Sequence, residues 1–185
     1  MRRWLFVGCL LLAGCATAPP RPPSAHPEQD WRRQQQAVSA LTHWQLVGRI
    51  ALFTESQGWH ATVDWRQRRD NYDIRLIGPL GQGALRLVGD PGHVTLYDSD
   101  GQSVMADDPD QLLYRETGWR VPVEALRYWV LGVPAPGPVA SRKLDPYGHL
   151  TELQQAGWRI RFLDYSERDG LQLPGRVFAT TTRRG

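Results

Sequence analysis

The chain has 185 residues, enough for one domain with a short extra segment and for a core that needs no disulfide staples. Apolar residues make up 41% and charged residues 22%, which excludes both a disordered chain and an integral membrane protein. The formal charge of +3 includes Arg2 and Arg3. Without them the basic and acidic residues nearly balance and are interspersed, so nothing points to nucleic acid.

Residues 2–15 read RRWLFVGCLLLAGC. Two Arg precede an apolar stretch from Trp4 to Ala13, too short for a bilayer span of about 20 residues but of the length of a secretory signal. Leu12-Ala13-Gly14-Cys15 resembles a bacterial lipobox, which implies cleavage before Cys15 and acylation of its thiol and its new amine. An ordinary secretory signal with an incidental Cys is the other reading. Residues 1–14 are therefore expected to be a signal peptide. Cys9 would leave with it and Cys15 would carry lipid, so the mature chain would hold neither free thiol nor disulfide. The lipoprotein resemblance implies three acyl chains, more than the two that make anchoring stable, and Ala16 in place of Asp points to the outer membrane. Residues 15–28 then form a lipidated N-terminus and tether, with five Pro between 16 and 28. The folded domain is expected over 29–185.

From Asp30 to His43 there is no Pro or Gly, and Trp31, Val38 and Leu41 fall near one helical face. Period two then takes over. Gly48, Ile50 and Leu52 share a face in Trp44–Thr54. Trp59, Ala61, Val63 and Trp65 alternate with His60, Thr62 and Asp64, and Tyr72–Leu76, Leu85–Leu87 and Val94–Leu96 follow. Turn chemistry ends these strands at Arg69-Asp70-Asn71, Gly89-Asp90-Pro91-Gly92 and Asp98-Ser99-Asp100-Gly101. The spacing predicts an antiparallel meander with one apolar and one wet face. Asp107-Asp108-Pro109 reads as an N-cap with Pro at the first helical position, and Gly118 as a stop. A second helix is expected from about Val121-Pro122 through Leu126, Trp129, Val130 and Leu131, with Gly132 as its cap. Strands resume at Leu150–Gln154 and Trp158–Phe162. The last candidate is Leu173–Thr182, where Pro174 suits an edge. A sheet with one apolar face needs a cover. If two or three helices cover a curled sheet loosely, an apolar cavity remains.

Catalytic motifs are missing from the sequence. It has no G-x-S-x-G, no H-E-x-x-H and no phosphate-binding G-x-x-x-x-G-K. The five His are isolated in sequence, no Cys remains for zinc, His60 lies on a polar strand face, and Asp107 and Asp108 are explained as helix-start charges. Neither an enzyme nor a metal site is expected, although residues that converge only in the fold would escape this search. One segment breaks the usual rule that turns are polar. Ile77-Gly78-Pro79-Leu80-Gly81-Gln82-Gly83 carries Leu80 in a tight turn. Leu80 either folds back onto the sheet or presents an apolar tip to lipid or to an acyl chain.

Gly78-Pro79-Leu80-Gly81, Asp90-Pro91-Gly92, Ala106-Asp107-Asp108, the helix Leu126–Pro134 and Leu173-Pro174 together resemble the LolB family of outer-membrane lipoprotein receptors, over nearly the whole mature chain. The resemblance implies an unclosed, roughly eleven-stranded antiparallel barrel with a helical lid over an apolar cavity, mainly β with some α. It implies a monomer that accepts acylated lipoproteins from the periplasmic chaperone LolA and releases them into the outer membrane, with no nucleotide, cofactor or nucleic acid. By motif, Gly78, Pro79, Leu80 and Gly81 would form a membrane-insertion loop and Cys15 would carry the anchor. The candidate acyl-chain lining on apolar strand faces and the second helix is Ile50, Leu52, Trp59, Val63, Trp65, Ile74, Leu76, Leu87, Leu126, Trp129, Ile160 and Phe162, with plain core packing the alternative for each. Another envelope lipid-binding or scaffolding lipoprotein is the competing function. The resemblance also implies a further apolar strand after Leu173-Pro174. Here the tail from Phe178 to Gly185 is polar and basic, so the expectation is that this strand is lost, leaving an uncovered edge and a short cavity wall.

Overall fold

Pro27 opens the first helix, three residues before the periodicity suggests. In the computed structural model, which describes residues 22–53, 58–79 and 83–182, α1 spans Pro27–Ser39 with Pro at its start and Glu28 and Asp30 in its first turn. Pro is pre-organised for that position, and acidic groups there favour the positive end of the helix dipole. The helix therefore takes over residues 27 and 28, which composition had assigned to the tether. Its buried residues Trp31 and Val38 face the second half of the molecule.

Six strands follow as an uninterrupted antiparallel meander. They are β1 (His43–Phe53), β2 (Gly58–Arg68), β3 (Asn71–Ile77), β4 (Leu85–Gly89), β5 (Val94–Tyr97) and β6 (Ser103–Ala106), hydrogen-bonded in chain order. Alternation in the sequence becomes alternation in burial along β1 and β2. At the closed end of the sheet Tyr72 pairs with Gly89. A Cβ at residue 89 would overlap the Tyr72 ring, so the glycine gives the ring its place.

Two helices then cross the inner face. In α2 (Pro109–Thr117) the Asp108 carboxylate accepts the N–H groups of Asp110 and Gln111 at 2.8 and 3.0 Å, and Gly118 stops the helix with φ of 76°. The cap, the proline and the glycine all fall where the sequence placed them. The next helix, α3 (Val123–Trp129), is shorter than predicted, because Val130 and Leu131 belong to a closing turn. Gly132, with φ of 75°, donates to Trp129 O at 2.9 Å and Val133 donates to Tyr128 O at 3.3 Å, a paired arrangement that satisfies the last carbonyls.

The remaining strands are β7 (Val139–Leu144), β8 (Leu150–Gln155), β9 (Trp158–Leu163), the hairpin β10 (Ser166–Arg168) and β11 (Leu171–Leu173), and β12 (Arg176–Thr181). Their larger sheet has the order β12-β9-β8-β7. The described residues are mainly β with three helices, and their antiparallel sheets are not closed into a barrel. Residues 176–181, within the last strand candidate and reaching into the polar tail that starts at Phe178, pair with β9 from Arg176↔Leu163 to Thr181↔Trp158. The reason is positional. An edge strand gains main-chain hydrogen bonds whatever its side chains, and here only Val177 and Ala179 turn inward. Pro174 and Gly175 separate β11 from β12 and split the single strand expected over Leu173–Thr182.

Two clusters form the core. Val63, Trp65, Ile74, Leu87, Val94 and Leu96 pack with Leu112, Leu113 and Val123 under the first sheet. Trp31, Val38, Trp129, Val133, Leu150, Leu153, Ile160 and Phe162 form the other. Each holds a buried glutamine that accepts an indole N–H, Gln67 from Trp65 at 2.9 Å and Gln155 from Trp129 at 3.0 Å. Gln155 also exchanges two bonds with the Ala135 backbone, at 2.9 and 2.7 Å.

Two substitutions test this packing by urea denaturation. Gly89→Val forces Tyr72 from its seat and is expected to cost about 1–3 kcal/mol. Gln155→Leu strands the Trp129 indole N–H and the Ala135 backbone, with an expected loss of about 3 kcal/mol.

Candidate functional site

The register of the meander stacks apolar side chains into rows across its inner face. Leu46, Trp65, Ile74, Leu87, Leu96 and Val104 stand side by side on successive strands. Gly48, Val63, Leu76 and Leu85 form the next row. Ile50 with Ala61, then Leu52 with Trp59, carry the surface to the sheet end. Because every pairing is antiparallel and in step, one alternating sequence pattern repeated along the chain becomes one continuous apolar surface.

The helices cover only part of it. Leu112, Leu113 and Val123 pack on the middle rows. Asp110 Oδ1 accepts the Val123 N–H at 2.8 Å and joins α2 to α3, while Arg127 reaches Asp70 in the β2–β3 turn at 3.0 Å. Where this cover ends, a cavity of about 620 Å³ opens, lined by Leu52, Trp59, Gly83, Ala84, Leu85, Asp98, Ser99, Thr117, Gly118 and Trp119. Trp119, just past α2, meets Trp59 with ring centroids 4.6 Å apart, the offset, tilted contact that aromatic rings favour.

Of the predicted lining residues, Leu52 and Trp59 border this cavity. Val63, Trp65, Ile74 and Leu87 are buried in the first cluster, with Ile50, Leu76 and Leu126 half-buried against it. Trp129, Ile160 and Phe162 lie in the second cluster at 0–1% exposure, packed with α1 and away from the mouth. Gly78 is buried and Pro79 exposed. Leu80, Gly81 and Cys15 fall outside the described residues. Sequence reasoning missed Leu85 and Trp119. The phase of Leu85 with Leu87 on β4 could have revealed the first, whereas a Trp after a helix stop carries no signal of where it points. Among the described residues no group of three or more His, Cys, Asp or Glu is gathered to hold a metal.

Charge is sparse on the apolar face, with Asp98 at the rim of the cavity. On the outer face Asp73 accepts from both Arg86, at 3.0 and 2.8 Å, and Arg75, and the Arg86 bond holds its carboxyl below the usual range. Asp110 is the exception under the lid. Burial pushes its carboxyl upward, the Val123 N–H opposes that, and Asp108 and Glu124 add repulsion.

A family model described as outer membrane lipoprotein LolB matches residues 42–184. The chain belongs to the LolB family. Outer-membrane lipoprotein LolB of Nitrosococcus oceani is 41% identical over 94% of this chain and 87% of its own length. The LolB of Chromohalobacter salexigens is 38% identical over 97% and 84%, and that of Pseudomonas putida strain GB-1 is 40% identical over 93% and 85%. Among the described residues no helix is long and apolar enough to cross a membrane. The open antiparallel architecture and helical cover agree with the LolB fold expected from the loop and helix motifs.

The Asp110 arrangement has a signed consequence. An acid whose folded-state pKa is raised keeps its proton more readily in the native state, so stability falls as pH rises from the ordinary carboxylate value through the raised one. Asp110→Asn retains an acceptor for the Val123 N–H but cannot ionise. Its urea midpoint is expected to lack the decline that the parent shows as pH rises above the ordinary carboxylate value and to match or exceed that of the parent at neutral pH.

Proposed function

We propose that this chain is an outer-membrane-anchored receptor that takes acylated lipoproteins from the periplasmic chaperone LolA, holds their acyl chains on the apolar face of its six-stranded sheet, and passes them to the outer membrane without nucleotide. The observation that carries this reading is the row-upon-row apolar surface that runs out of its helical cover at an open cavity. Family membership supports the same assignment.

The energetics explain why such a surface is needed. Each methylene kept from water is worth about 0.8 kcal/mol, so a sixteen-carbon chain costs on the order of 10 kcal/mol to expose and three chains roughly 30. A free lipoprotein therefore does not cross an aqueous compartment. A receptor has to offer a better refuge than the carrier and a poorer one than the bilayer, and the transfer then runs downhill.

Volume sets the second requirement. A methylene fills about as much space as a water molecule, ~30 Å³, so a sixteen-carbon chain needs roughly 500 Å³. The cavity of about 620 Å³ holds about one chain. Three chains require α2 and α3 to move off the middle rows. The covering contacts are apolar and non-directional, so acyl chains replace Leu112, Leu113 and Val123 on the same surface with little net loss. That exchange suits varied cargo better than a tight, specific pocket.

A soluble form starting after Cys15, mixed with chaperone carrying a labelled triacylated lipoprotein, tests the proposal. Label is expected on this protein without ATP, and a folded monomeric sample that takes none would overturn it. Uptake from loaded chaperone, rather than binding of free lipid alone, separates a receptor from another lipid-binding lipoprotein. Leu52→Asp places a carboxylate at the mouth and is expected to cut uptake about tenfold, since an unpaired charge in apolar surroundings is costly. Leu80→Glu is expected to spare uptake and slow release into liposomes, measured by the appearance of label in the vesicle fraction.

A further inference from the structure

The sheet end that carries the cavity mouth also carries the most exposed large apolar side chain among the described residues. Phe53, the last residue of β1, is 83% exposed. Its ring lies beside Gly58, its partner across the β1–β2 pair, so no β2 side chain covers it. Ile77, which ends β3, is 47% exposed, and Pro79 beyond it is exposed as well. Between them on the outer face lie Ala51, His60 and Thr62, with Arg49 behind. Among the described residues, the outer-face carboxylate on the next row, Asp64, is engaged by Gln45 and Arg66.

We infer that the Phe53 tip, together with Ile77, is a phospholipid-contact surface that seats the cavity mouth on the bilayer. The inference deepens the proposed receptor function and rests on it. Three observations favour a lipid surface over a protein partner. Leu52, next to Phe53 on the inner face, and Trp59, next to Gly58, line the cavity. Inner lining and outer patch therefore meet at one strand end, and an acyl chain leaving the mouth passes the tip without crossing water. The described chain begins at Pro22, seven residues from the anchor expected at Cys15. Extended, that stretch spans at most about 25 Å, so an anchored domain stays within reach of the membrane. Finally, Arg49 stands behind the apolar tip on the same face, where a guanidinium suits phosphate headgroups and an aromatic ring suits the interfacial level.

The soluble form beginning at Ala16 contains no cysteine, so single-cysteine labelling reads the contact directly. Phe53→Cys, Val47→Cys and Pro79→Cys would each carry a polarity-sensitive fluorophore and be mixed with phosphatidylethanolamine–phosphatidylglycerol vesicles. Val47, 69% exposed, is on the same face about 20 Å back along β1 and serves as a depth control. The label at 53 is expected to shift to the blue and to be quenched by a bilayer-embedded quencher, and the label at 47 to remain in water. Phe53→Asp is expected to lower vesicle partitioning about tenfold, Phe53→Leu to retain it, and both to accept lipoprotein from loaded chaperone as the parent does, with unchanged urea midpoints.

A shift at 79 with none at 53 would overturn the inference and leave the receptor reading intact. Equal shifts at 53 and 47 would overturn it in favour of side-on docking. Loss of cargo uptake by Phe53→Asp with vesicle binding preserved would make the tip a chaperone contact, and a Phe53-dependent dimer would make it a contact between copies. Failure of the parent itself to take cargo would refute the receptor reading separately.

Discussion

A sheet with one largely apolar face cannot stand alone in water, and most of this molecule is a response to that constraint. Six strands in strict antiparallel register place Leu46, Trp65, Ile74, Leu87 and Leu96 in a single row, and further rows extend it toward the mouth. Burying one such side chain is worth about 1.5–3 kcal/mol, so the uncovered face would dissolve the fold or aggregate. The chain answers with α2 and α3, whose Leu112, Leu113 and Val123 take the middle of the surface. The cavity lies where that answer stops short.

The cover is held by unlike contacts at its different points. Asp110 and Arg127 fasten it through polar groups that water can replace. The Trp59–Trp119 pair closes it at the mouth. The C-terminal part of α3 is fixed differently, because Trp129 is fully buried in the second cluster and bonded to Gln155. Leu126, one turn earlier, touches both clusters. The second sheet, with α1 packed on it through Trp31 and Val38, holds this end of α3.

Much of the fold was legible in the sequence because its central strands are half-buried. Alternation identified β1 to β5, β8 and β9, and Asp108, Pro109 and Gly118 marked both ends of α2. The strands that escaped notice share a physical cause. β6 and β7 are edge strands exposed over most of their length, and the short hairpin β10–β11 is exposed or only half-buried. β12, expected as an edge strand but doubted from Phe178 onward, is an edge as well. Where neither face is buried, no period of two is imposed, and pairing rests on backbone hydrogen bonds that any side chain permits. Helix ends were misjudged by two to four residues. A Pro start and a glycine-closed turn overrode periodicity at two of them. At the third, α1 stops at Ser39, leaving Leu41 outside the helix and His43 to open β1, although no Pro or Gly interrupts the run to His43.

The sequence by itself determined which side chains share a face, since the alternation of strands and the cap chemistry of helices are local properties. It also held the loop and helix motifs that place the chain in its family. Only the tertiary structure decided which apolar faces remain open to a ligand. Leu52 and Trp59 border the cavity, whereas Trp129, Ile160 and Phe162, equally apolar and equally well phased, are consumed by packing against α1. Trp119 reaches the mouth because α2 ends there. Hydrophobicity reports that a residue will leave water. What it meets instead is settled by elements distant in the chain, and no local pattern encodes that.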